Sequence, residues 1–62
     1  MTKEYRFKGE SFFECKDVME KWISQQMIKI ALGIIIFQSS CIERIPDKDE
    51  FLLSIKYYES SL

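Results

Sequence analysis

Residues 3 to 9, KEYRFKG, alternate cleanly: Tyr5 and Phe7 point one way, and Glu4, Arg6 and Lys8 point the other. A period of two is that of a half-buried strand, and Gly9 ends it. The period changes at SFFE, residues 11 to 14. Ser11 can accept from the amide three residues on, and Glu14 can reach back, which makes a capping box. Apolar residues then recur by threes and fours at Phe12, Cys15, Val18, Met19, Trp22 and Ile23, the spacing of a helix. Glu14, Asp17, Lys21 and Ser24 take its polar side, with Asp17 and Lys21 in the favourable i,i+4 order. The helix is expected to end between Gln26 and Ala31. MIKIAL supplies its last turns if Gly33 is the stop.

From Ile34 to Ile45 the chain is rich in β-branched and apolar types and reads as a long strand. Strict alternation puts Ile34 and Ile36 on one side, and Ile35, Phe37 and Cys41 on the other. PDKDE, residues 46 to 50, is a turn: Pro46 is rigid, and Asp47 and Asp49 suit local backbone bonding. FLLSIKYYE follows as a strand. Phe51, Leu53, Ile55 and Tyr57 share one face; Leu52, Ser54, Lys56 and Tyr58 share the other. The short connection makes these last two strands a hairpin.

The order is therefore β-α-β-β in a single domain over residues 1–62. A right-handed crossover makes the first two strands parallel, and the third fits between them, antiparallel to both. The fold class is α+β: a three-stranded sheet with one main helix packed on one face. A competing reading pairs YRFK with SFFE in an N-terminal hairpin turning at Gly9, followed by a shorter helix.

One helix covers only one face of such a sheet, yet the run IIIF at 34–37 is apolar on both. Whatever part of Ile34, Ile35, Ile36 and Phe37 faces away from the helix, with Leu52 and Tyr58, needs a cover. A second copy stacked through the sheet, or paired edge to edge about a two-fold axis, is the simplest one. These six residues are the interface candidates. Trp22 joins them if it is a hot spot rather than a core anchor, the simpler reading of a tryptophan on the helix stripe.

Composition sharpens this expectation. The chain has 62 residues, and 47% of them are hydrophobic. A single core of this size barely offsets the cost of ordering the chain, and small domains commonly add a partner. The formal net charge of −1 draws it toward neither nucleic acid nor an anionic membrane. MIKIALGIIIF is too short for a spanning helix and contains Lys29. Cys15 and Cys41 follow no paired spacing and read as buried thiols. With no apolar leader segment in MTKEYRFKG, the expected location is the cytoplasm.

Chemistry is sparse. There is no histidine, and Gly9 and Gly33 are the only glycines, so no phosphate-cradling loop exists. DKDE at 47–50 lacks the spacing and the glycine of a calcium loop. No catalytic residue, cofactor site or metal site is assigned. The expected function is that of a non-enzymatic regulator or inhibitor occupying a surface of a larger protein. Such short chains without chemistry are often encoded by phages or other mobile elements. The alternative is a nucleic-acid-binding module, with Tyr5, Arg6, Phe7 and Lys8 on one strand and Lys56 and Tyr57 on another forming a sheet on which bases stack.

Overall fold

The computed structural model describes residues 1–60. Its elements are β1 (Thr2–Gly9), α1 (Phe12–Gln25), α2 (Met27–Ala31), β2 (Ile35–Arg44) and β3 (Phe51–Glu59). The strands form one sheet in the order β1-β3-β2, with β3 antiparallel to both neighbours. The architecture is thus the α+β arrangement read from the sequence, with the last strand in the middle. The N-terminal hairpin does not form, because Phe12 begins α1.

Alternation decides which side of each strand is buried. Tyr5 lies opposite Ile55, and Phe7 opposite Leu53. On the other flank, Ser40 lies opposite Ile55, and Ile42 opposite Leu53. These residues share the face that α1 covers. Leu53, Ile55 and Cys15 are fully buried there, with Trp22 and Ile35 beside them. Trp22 lies between two tyrosines, 4.9 Å from the ring of Tyr57 and 6.2 Å from that of Tyr5. Gly9 closes the other end of this core. A Cβ at Gly9 would come within 2.9 Å of Cys15 Sγ, so β1 approaches α1 this closely only because the position carries no side chain.

The helix begins as its capping residues dictate. Ser11 Oγ accepts from the Glu14 amide at 3.1 Å. The Glu14 carboxylate reaches one residue further back than a capping box requires and accepts from the Glu10 amide at 3.1 Å. At the far end, α1 stops at Gln25 and a short second helix follows. Gln26 falls four residues after Trp22 and three after Ile23. A polar amide thus sits where the buried stripe calls for an apolar residue. The backbone breaks there, with φ −95° and ψ 4°. Gly33 terminates α2 at φ 76°. The Gly33 amide donates to Ile30 O and the Ile34 amide to Lys29 O, the paired bonds of a Schellman motif.

Strict alternation fails in β2. The register with β3 slips between Phe37, opposite Tyr57, and Ser39, opposite Lys56. Gln38 is the extra residue of a β-bulge. Ile35 and Phe37 share one side as expected, and it is the helix side, but Cys41 does not join them. It lies opposite Ser54 on the uncovered face and is exposed. Only Cys15 is the buried thiol that the sequence led us to expect of both cysteines. The turn that follows has Pro46 at its second position and Asp47 at its third, with φ 65°. Lys48 N donates to Ile45 O at 3.3 Å, the pattern of a type II turn.

Candidate interaction surface

The uncovered face of the sheet is mostly polar. Glu4, Arg6 and Lys8 come from β1, Ser54 and Lys56 from β3, and Ser39, Cys41 and Glu43 from β2. Arg6 Nε donates to Glu4 Oε1 at 2.6 Å. Lys56 lies opposite Glu4 on one side and Ser39 on the other. A shallow depression of about 220 Å³ runs between these strands, lined by Glu4, Ser39, Cys41, Glu43, Ser54 and Lys56 among others. The Cys41 thiol donates to Glu43 Oε1 at 3.4 Å. That bond, with some desolvation and the carboxylate's charge, pushes its pKa up. Among the described residues, no three His, Cys, Asp or Glu side chains converge as a metal site would require. No helix there is long and apolar enough to cross a membrane.

The residues named for nucleic-acid binding do not come together. Tyr5, Phe7 and Tyr57 pack against the helix-side core, while Arg6, Lys8 and Lys56 occupy the opposite face. The sheet lies between the aromatic rings and the cations, so the two sets do not form one stacking platform.

The interface candidates also separate. Ile35 and Trp22 belong to the core. Ile34 precedes β2, half-buried, and its carbonyl accepts from Ser60 N at 2.8 Å. Leu52 is half-buried at the far end of the open face, beside Lys8 and Glu43. Ile36, Phe37 and Tyr58 remain exposed, at 55%, 43% and 41%. Ile36 and Tyr58 pair across the open face, and Phe37 emerges on the helix side of the same strand end.

No family model matches the chain, and no curated protein or solved structure is similar to it.

Sequence reasoning missed the exposed apolar side chains of α2. Ile30 turns inward and packs against the core, but Met27, Ile28 and Leu32 are exposed at 58%, 76% and 70%. Treated as the last turns of one helix, MIKIAL promised a continuation of the buried stripe. Broken off at Gln26, it presents that material to solvent instead. Its signal was the density of apolar residues after Gln26, which exceeds what one stripe can bury. The segment leads directly into β2, so Met27, Ile28 and Leu32 lie at the same end of the molecule as Phe37 on the helix side of the sheet and as Ile36 and Tyr58 on its open face. Glu59 marks the same end. It accepts from Lys3 Nζ at 2.7 Å and from Lys29 Nζ at 3.5 Å, tying β1 and α2 to the end of β3.

Proposed function

We propose that this protein is a non-enzymatic binding protein that acts by occupying a surface of a larger protein, as a regulator or inhibitor does. Its binding surface is the apolar end built from α2 and the start of β2. The observation that carries the reading is the segregation of its exposed apolar side chains. Met27, Ile28 and Leu32 of α2 and Phe37 are exposed at this end, with Ile36 and Tyr58 at the adjoining edge of the open sheet face, while the rest of that face is covered with serines and charges of both signs. Scattered apolar residues are ordinary on a surface, but a concentrated patch next to polar ground marks an interaction site.

The test is affinity capture from the native host's lysate with two baits, the wild type and Ile28→Lys/Leu32→Lys. Both substituted side chains are largely exposed, so circular dichroism of the variant should match the wild type. A discrete protein retained by the wild type and lost by the variant is the expected result. Identical captures by both baits, or none by either, would remove the assignment of this end.

A further inference from the structure

We propose that α2 is a strap that undocks and unwinds between Gln26 and Gly33 while α1 and the sheet stay folded, uncovering the end of the core at Trp22 and Ile35. Such a strap works with or without a target, so it goes beyond the reading of this end as a binding surface and does not depend on it.

The segment is weakly held. No residue of α2 is fully buried. Ile30 is its one side chain packed against the core, and Ile30 is itself only half-buried. The helix neighbours α1 and the edge strand β2, but neither β1 nor the central β3. Lys29 Nζ reaches Glu59 Oε2 at 3.5 Å, and the Lys29 side chain is 53% exposed. An ion pair in that setting contributes little. The contrast is α1, which places both Cys15 and Trp22 in the core.

Both ends of the segment are already joints, each with an anchor beside it. On one side the Gln26 amide donates to Trp22 O and Ile23 O, which fixes the chain to α1 as far as the break at φ −95°, ψ 4°. On the other, Ile34 O accepts from Ser60 N at 2.8 Å and pins the chain just after Gly33. Gly33 sits at φ 76° with nothing within 4 Å of where a Cβ would stand. The backbone can turn there without displacing a neighbour. Opening therefore gives up the burial of Ile30, one exposed ion pair and a single short run of helical bonds. A helix of five residues has no stability of its own in water, so undocking and unwinding are one event. Trp22 closes the last turn of α1 and Ile35 begins β2, and these are the core residues that lie at this end. Segments with so few buried contacts are the ones that open ahead of the rest of a fold.

Native-state hydrogen exchange followed by NMR tests this on the wild type and two variants. The reporters are the amides of Ile30, Leu32, Gly33 and Ile34, which donate to the carbonyls of Gln26, Ile28, Ile30 and Lys29. In the wild type these should be at least about tenfold less protected than the amides of β3. Their rates should stay nearly flat in low urea while those of β3 climb, since a local opening exposes little surface. Ile55→Val trims the part that stays folded. It should speed exchange in β3 by about two- to tenfold and leave the α2 amides unchanged. Ile30→Ala removes the side chain that docks the strap and should speed the α2 amides by about tenfold.

An α2 that shares the urea slope of β3 and its acceleration by Ile55→Val opens only with the whole chain, and the strap is overturned. Unchanged α2 exchange in Ile30→Ala overturns it too. The urea series and Ile55→Val decide the matter even if Ile30→Ala does not fold.

Discussion

Three neighbouring isoleucines of one type meet three environments. Ile34 is half-buried before the strand starts, Ile35 is 2% exposed in the core, and Ile36 stands in solvent on the open face. Truncation should separate the last two sharply. Ile35→Ala removes methylenes from a packed site beside Trp22 and Ile55 and should cost about 2 to 5 kcal/mol. Ile36→Ala removes side-chain surface that water already reaches, and its effect on the monomer should stay below about 1 kcal/mol. Urea denaturation of both variants at one low protein concentration makes the comparison. Equal losses would mean that the open face at Ile36 is as enclosed as the core. This difference could not be read from the sequence, because a run of identical side chains carries no period. What was legible was the neighbouring pattern: YRF in β1 and FLLSIKY in β3 alternate unbroken, and the structure keeps the predicted sets on common faces, with Leu53 and Ile55 buried and Tyr5, Phe7, Phe51 and Tyr57 half-buried around them.

At the scale of elements, the legible parts were those with a clear period and a chemical boundary. Ser11 and Glu14 announced the start of α1, and Gly33 the end of the helical segment. The break at Gln26 and the bulge at Gln38 were not announced, since each lies in a short polar run, Ser24 to Gln26 and Gln38 to Ser40, that contains neither glycine nor proline to mark the irregular position. The bulge matters because it restores Ser40, Ile42 and Arg44 to the helix side after Phe37, and sends Cys41 outward. Deleting Gln38 should therefore leave the pairing on both sides intact. Ile42 should still oppose Leu53, and Phe37 should still oppose Tyr57. Cross-strand contacts measured by NMR on the deletion variant would show this. A variant in which Ile42 has moved to the open face would mean that the extra residue lies elsewhere in the strand.

The whole molecule is held at its apolar end by one carboxylate. The Glu59 side chain bonds Lys3 and, less closely, Lys29, and the bond from Lys3 holds its carboxyl below the ordinary value of 4.5. A group with a lowered folded pKa stabilises fully above its unfolded value and loses that contribution as pH falls through the folded one. Lys3 is the other end of the same pair. The Glu59 bond raises it above 10.5, so its contribution holds below that value and is lost as pH rises further. The melting temperature of the wild type should be level between these limits and fall outside them. Glu59→Gln should lower the plateau slightly and flatten both limbs, since the pair is solvent-exposed and screened. Thermal melts from pH 3 to pH 11 would check it; limbs unchanged by the substitution would assign them to other groups. None of this was legible beforehand, because Lys3, Lys29 and Glu59 are distant in sequence and meet only once the sheet has formed.

The strand order also dictates a sequence of events. β3 is the last of the five elements to be synthesised, and it is the one strand with which both others pair. Until it is made, β1 and β2 have no partner in the sheet, and the stripe of α1 has no Leu53 or Ile55 to pack on. Such a chain has little to gain by folding piecemeal as it emerges, since its long-range pairings must all wait for one segment. Its folding therefore waits for β3, and until that strand is made the IIIF run stands exposed to whatever binds hydrophobic nascent segments.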